Sequence, residues 1–349
     1  KLTMSALSQI LQQNKQGLRS GIYSVCSAQP LVLTAALRRA KADQSVLLIE
    51  ATANQVNQFG GYTGMLPADF IAYVRQLADT EGVQQHQLIF GGDHLGPVVW
   101  CKEPAEQAMQ KAEQLIAVFV QAGFSKIHLD TSMACADDPA ALSDEVIAAR
   151  AARLCKVAEQ HRQPHQQLCY VIGTEVPAPG GVTELEHELA PTPVQAVQYT
   201  LSTHKAAFAA VGLGDEVWQK VIALVVQPGV EFDNSKVHLF DVPASQSLSA
   251  YIQTQPGLVY EAHSTDYQLP EQLKALVQGH FAILKVGPGL TFALREALFA
   301  LSLIEDELVQ PEQSSQLRQR CKALMQNNPG YWQKFYTDSE AQWQLLYSF

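Results

Sequence analysis

The sequence predicts an α/β fold, a (β/α)8 barrel with a helical C-terminal extension, and three observations carry that prediction. Eight short apolar runs recur along the 349 residues, each of strand length. Each is followed by a stretch with helical spacing. The chemically versatile residues gather at the carboxyl ends of the runs, where the loops of such a barrel build its active site.

In chain order the runs are 21–27 (GIYSVCS), 45–52 (SVLLIEAT), 88–94 (LIFGGDH), 126–132 (KIHLDTS), 169–176 (CYVIGTEV), 221–228 (VIALVVQP), 258–263 (LVYEAH) and 281–287 (FAILKVG). All are rich in Val, Ile and Leu, as parallel strands buried on both faces require. The segments with helical spacing include 31–42, 67–79, 104–121, 143–159, 193–210 and 270–278. Several of these have Pro in the first turn, where the missing N–H costs nothing. The eighth run leads into an apolar helix at 290–303 that closes the barrel. The barrel therefore takes residues 1–305. Residues 306–349 form the extension, with a helix at 311–326 and an aromatic-rich tail from Tyr331 to Phe349. Rings in that number pack on the barrel or on another subunit.

Length and composition bound the function. One barrel with an appendage accounts for the length better than two unrelated domains. A hydrophobic fraction of 47% and a charged fraction of 17% are those of an ordinary globular protein. The net charge of −10, with no block of Lys and Arg, argues against nucleic acid or an anionic membrane as the main partner. No run is long enough to span a bilayer and no charged-then-apolar leader opens the chain, so a soluble, cytoplasmic protein is expected. The six cysteines show no CxxC pairing and read as reduced thiols. Cys26, at a strand end, reads as a small buried residue before a reactive thiol.

The sharpest local signal is 91–97 (GGDHLGP), an ionisable pair at a strand end flanked by glycines that permit close ligand approach. Asp93 and His94 point to different sides, so one is free to hold a metal while the other handles a proton. The seventh run ends on His263, and the third and seventh strands of a barrel face each other across its mouth. His94 and His263 can thus converge on one divalent ion, zinc being the first candidate, with Glu175 or Gln227 as third ligand. A structural role for both histidines is about equally supported. Glu175 is otherwise a base, or a carboxylate that orders its loop. Asp130 and Ser132 read as loop caps slightly ahead of substrate contacts. Glu50 and Asn54 bind hydroxyl groups or form a polar loop network, and His128, in mid-strand, reads as structural.

Phosphate sites in such barrels favour the loops after strands seven and eight. Ser264 and Thr265 offer hydroxyls there, Lys285 a charge, and Gly287 and Gly289 backbone N–H groups, so a phosphorylated sugar is expected slightly ahead of a plain β-to-α turn. Asp266 would repel that anion if it faced inward. No GxxxxGK[ST] loop is present, so no nucleotide cofactor is expected.

Longer motifs carry a resemblance: 24–27 (SVCS), 49–64 (IEATANQVNQFGGYTG), 91–97, 123–130 (GFSKIHLD), 170–177 (YVIGTEVP), 226–233 (VQPGVEFD), 260–268 (YEAHSTDYQ) and 282–288 (AILKVGP). In these, and essentially end to end, the chain resembles the Z-type accessory subunits of tagatose-1,6-bisphosphate aldolase, which serve galactitol and N-acetylgalactosamine catabolism. The resemblance implies a barrel related to the zinc-dependent class II aldolases. It implies that Asp93 matches their proton-transfer acid and that His94 and His263 match metal ligands. Their strand-six histidine falls at Gln227, and their glycine-serine phosphate loop becomes 264–266 (STD). An amide is a weaker zinc ligand than imidazole, and an aspartate is a poor neighbour for phosphate.

Two functions are therefore expected to compete. One is a non-catalytic subunit that binds and stabilises a catalytic Y-type aldolase subunit. The other is a metal-dependent ketose-phosphate 4-epimerase or aldolase that breaks a C3–C4 bond, with Asp93 and Glu175 handling protons.

Overall fold

The computed structural model describes residues 5–174, 189–233 and 236–333. Eight parallel strands close a barrel: β1 (Ile22–Val25), β2 (Leu47–Thr52), β3 (Leu88–Leu95), β4 (Lys126–Leu129), β5 (Cys169–Ile172), β6 (Val221–Val225), β9 (Val259–Ala262) and β10 (Phe281–Val286). Every predicted run holds one of them. Between β6 and β9 lies a short antiparallel hairpin, β7 (Glu231–Phe232) and β8 (Val237–His238), which the sequence reading did not anticipate.

Helices α2 (Pro30–Asp43), α3 (Pro67–Glu81), α9 (Pro270–Gln278) and α10 (Pro288–Leu308) do open on proline. In α4 (Ala105–Ala122) and α6 (Val194–Ala210) the proline stands one place earlier, as N-cap in extended backbone. Left-handed glycines stop two of the helices, Gly82 after α3 and Gly123 after α4. α5 (Asp144–His161) is capped by Ser143, whose hydroxyl accepts from the Val146 N–H.

The main core fills the space between barrel and helices, with Ile127 and Leu129 of β4 facing it alongside Phe119 and Leu154. A second core lies inside the barrel. Leu7 and Leu11, one turn apart on α1 (Ala6–Lys15), pack there with Ile22, Leu48, Val171, Val259 and Ile283. Successive side chains of a strand point to opposite faces. The residues two and four places further along these inward rows are therefore also inside, and they are polar: Ser24, Glu50, Glu261, His263 and Lys285. The barrel interior is apolar at the α1 end and ionic toward the mouth.

α10 runs on to Leu308, past the boundary expected at 305, and α11 (Leu317–Asn327) follows it. Trp332 is buried and its indole N–H donates to the Met325 carbonyl at 2.7 Å. The rest of the aromatic tail lies outside the described residues, as does Glu175.

Candidate metal and substrate site

A chain of opposite charges crosses the barrel mouth. Lys126 Nζ lies 2.7 Å from Glu261 and 2.6 Å from Glu50, all three side chains fully buried. Glu50 also pairs with Lys285, whose Nζ stands 3.0 Å from Asp93 Oδ2. Glycine makes room for this: β2 and β3 pair Glu50 with Gly91, and a Cβ at Gly91 would fall 2.7 Å from Glu50 Cγ.

Burial raises the cost of every charge here, but at Asp93, Lys285 and Lys126 the partners outweigh it. Burial pushes against an ionised Asp93, yet the charges of His94 and Lys285 and the hydrogen bond to His128 hold its carboxyl well below the usual range. Burial opposes a charged Lys285 too, and Asp93, Cys26 and Glu50 keep its ammonium well above the ordinary lysine value. Lys126 is raised in the same way by Glu261 and Glu50 against its burial. The Cys26 thiol, 3.6 Å from Asp93 Oδ2, is pushed well up by burial, so it is no ready thiolate.

Three histidines end the chain of charges, and each is paired with a carboxylate. His94 Nδ1 meets Asp130 Oδ2 at 2.7 Å, His128 Nδ1 meets Asp93 Oδ1 at 2.9 Å, and His263 Nε2 meets Glu261 Oε1 at 2.8 Å. Burial drives the His263 imidazole down to about 4, so it is neutral near pH 7. Asp130 is held down to about 2: burial opposes its charge, and its bonds to His94 and Ser132 prevail. His94 itself sits in left-handed backbone with φ 49°, and Ser264, just past His263, at φ 56°. Such conformations cost a non-glycine residue about 1–3 kcal/mol and cluster at functional sites.

These pairs suit a metal. A metal-bound histidine characteristically gives its other ring nitrogen to a carboxylate or carbonyl. The second nitrogen of His128, Nε2, is buried and has no hydrogen-bond partner. Ligand-type atoms of Asp93, His128, Glu261 and His263 all lie within 4.8 Å of one another. A divalent ion, when bound, supplies a Lewis acid that polarises a carbonyl or hydroxyl oxygen.

The other expected site residues divide. Asn54, Asp93, His94, His263, Ser264 and Lys285 line a cavity of about 700 Å³ at the mouth. Asp130 accepts from both the N–H and hydroxyl of Ser132, the capping arrangement. Thr265 is buried and its hydroxyl donates to the Lys285 carbonyl at 2.7 Å. Gln227 turns Oε1 into its own loop, accepting from Gly229 and Val230 N–H at 2.9 and 2.8 Å. Gly287 and Gly289 were expected to offer their N–H groups to a phosphate. Both donate instead to Asp266 Oδ2, at 2.7 and 2.9 Å. Sequence reasoning took His128 as structural and did not single out Lys126 or Glu261. The signal was there in 126–130 (KIHLD), where Lys126, His128 and Asp130 recur every second residue and so share one strand face.

Fold and site together define a (β/α)8 barrel with a histidine-carboxylate centre at its mouth. The model of a family described as D-tagatose-1,6-bisphosphate aldolase subunit GatZ/KbaZ-like matches residues 7–349, and the chain belongs to that family. Among solved structures it is similar to a probable tagatose 6 phosphate kinase from Sinorhizobium meliloti, at 46% identity and TM-score 0.86, covering 94% of this chain and 80% of that one. It shares the fold of a fructose-bisphosphate aldolase from Campylobacter jejuni, at 14% identity and TM-score 0.58 over 89% of this chain and 86% of that one. The YdjI aldolase of Escherichia coli is a more distant match, at 11% identity and TM-score 0.50 over 97% and 100% of the two chains.

Proposed function

We propose that this chain is the non-catalytic subunit of a class II tagatose-1,6-bisphosphate aldolase, holding a catalytic Y-type subunit in its stable, active form. The observation that carries the reading is Asp266. A bisphosphate substrate needs anion sites, and the amide pair at the start of α10 already holds a carboxylate of the protein itself. Gln227, the position of a metal-binding histidine in the catalytic relatives, is spent on its loop.

A surface for the partner is available on α10. Leu301, Ile304 and Leu308, spaced to share one face, are 60%, 55% and 79% exposed. Apolar stripes of this kind mark protein contacts. No helix among the described residues is long and apolar enough to cross a membrane, so the stripe is not part of such a span. The setting in this reading is galactitol or N-acetylgalactosamine breakdown in the cytoplasm.

The test is turnover of tagatose 1,6-bisphosphate by the Y-type subunit, this chain and their mixture, with zinc present. Activity of the mixture above that of the Y-type subunit alone, with none from this chain, supports the reading. Equal activity with and without this chain refutes it.

One feature favours a second reading. The cavity keeps Asp93, His94 and Lys285 on its wall, groups for which a scaffold has no need. Metal-dependent turnover of tagatose 6-phosphate or fructose 6-phosphate by the isolated chain, lost in Asp93→Ala, would make it an epimerase or aldolase in its own right.

A further inference from the structure

We infer that the mouth cavity admits a ketose or polyol by an uncharged hydroxymethyl end, seated at the turns after β9 and β10, and that Asp266 turns a phosphate away from that seat. The inference rests on the subunit reading, in which the amide pair of α10 is closed to a bisphosphate, and names the class of ligand the site takes instead.

Asp266 is held in place. Its Oδ2 accepts from the Gly287 and Gly289 N–H groups, and a Cβ at Gly289 would fall 2.9 Å from Asp266 Cβ, so the carboxylate is wedged against the backbone it caps. Thr265 beside it is fixed on the Lys285 carbonyl by both its N–H and its hydroxyl, at 3.3 and 2.7 Å. The Ser264 hydroxyl faces the buried Glu231 carboxyl, which also accepts from the Phe232 N–H at 2.9 Å. Ser264, Thr265, Gly287 and Gly289 thus each meet an acceptor of the protein itself.

The cations are committed as well. Lys285 lines the cavity, and no arginine stands beside it among the described residues. An ammonium offers three protons, and this one is surrounded by Glu50, by Asp93 at 3.0 Å and by the Cys26 sulfur. His94 gives Nδ1 to Asp130 at 2.7 Å. The sequence of 175–188, which follows β5 in the chain, holds neither Lys nor Arg. A phosphate entering at the β9 and β10 turns would therefore meet the Asp266 carboxylate with no uncommitted lysine or arginine on the described wall, and like charges brought together oppose binding.

For a hydroxyl the match has the opposite sign. A carboxylate that repels phosphate accepts the proton of an alcohol. Asp266 reaches the cavity wall, and around it stand groups suited to a polyol: Asn54 and Thr291 for hydroxyls, the rings of Tyr62 and Phe232 for C–H faces. The cavity volume of about 700 Å³ falls within the roughly 300–1,000 Å³ of small-molecule sites. A singly phosphorylated sugar can enter by its free end, whereas a bisphosphate is charged at both.

The measurement is calorimetric binding of free tagatose, tagatose 6-phosphate and tagatose 1,6-bisphosphate to the whole chain without any other subunit. Tagatose and its 6-phosphate should each bind at least tenfold more tightly than the bisphosphate, a ranking on the unmutated protein that depends on no variant's folding. In Asp266→Ser the bisphosphate should gain at least tenfold while free tagatose does not. A bisphosphate that binds as tightly as the 6-phosphate, a chain that binds none of the three, or an unchanged bisphosphate affinity in Asp266→Ser would each overturn the inference. Failure of the subunit reading is a separate result, since it is decided by turnover in the mixture with the Y-type subunit.

Discussion

Asp266 sets one carboxylate oxygen 2.7 Å from the Gly287 amide nitrogen and holds the Gly289 amide with the same atom. The carboxyl is raised by burial, with the two N–H groups pulling it back down. It occupies the anion position that the glycine-rich turn builds. Asp266→Ser should free both donors for inorganic phosphate, and charge-assisted bonds of about 1.5–3 kcal/mol each predict a gain of at least tenfold in affinity. Calorimetry with phosphate on variant and wild type measures it. Equal affinity in the two would mean that Asp266 does not set the anion preference.

Lys126 bridges Glu261 and Glu50, with nothing of the three exposed. Its removal takes the ammonium from Glu261 and leaves Glu50 to Lys285 alone, all of them buried. Lys126→Met should destabilise the barrel by about 3–5 kcal/mol, the usual cost of breaking a buried pair from one side. Urea unfolding against wild type gives the figure, and a loss below about 1 kcal/mol would mean the network adjusts by protonation.

The barrel was legible because its strands are apolar runs of the right length, ended by polar residues and glycines. Every one of the eight runs holds a strand. The hairpin at 231–238 was not legible, since two-residue strands leave no periodic trace. At the site, Asp93, His94 and His263 stood out as strand-end residues and do line the cavity. His128 was read as structural because it is mid-strand, where a polar residue normally is. Inside a barrel the inward positions near the mouth stand beside the site, and only the alternation of Lys126, His128 and Asp130 carried that information. The fate of Asp266 was half visible. Its charge was read as a repulsion, and its capture by two amides depends on a fold that brings the β9 and β10 loops together.

Gly91 faces Glu50 across the β2–β3 pairing. An added methyl would meet Glu50 Cγ at 2.7 Å and Cδ at 2.8 Å, and Glu50 is tied by both lysines. Gly91→Ala should therefore cost about 1–3 kcal/mol, as overpacking does where neighbours cannot yield. Thermal unfolding checks this. An unchanged melting temperature would show that the ionic chain is free to shift.

Asp130 orients His94 from behind. Asn in its place keeps the shape but removes the charge, so Asp130→Asn should lower zinc affinity roughly 10–100-fold while the fold persists. Competition with a chelator of known strength reads the change. Affinity equal to wild type would remove His94 from the ligand set and leave the ion to His128 and His263.

The stripe on α10 separates partner binding from folding. Ile304 is 55% exposed between Leu301 and Leu308, so a charge there meets water in the isolated chain. Ile304→Glu should change its stability by no more than about 0.5 kcal/mol, as surface substitutions do. In a complex the same carboxylate is buried in an apolar contact and loses its hydration. Co-purification with the Y-type subunit should then fail, and the gain in that subunit's turnover should disappear with it. If both survive, the partner docks elsewhere, and the apolar stripe faces something other than the catalytic subunit.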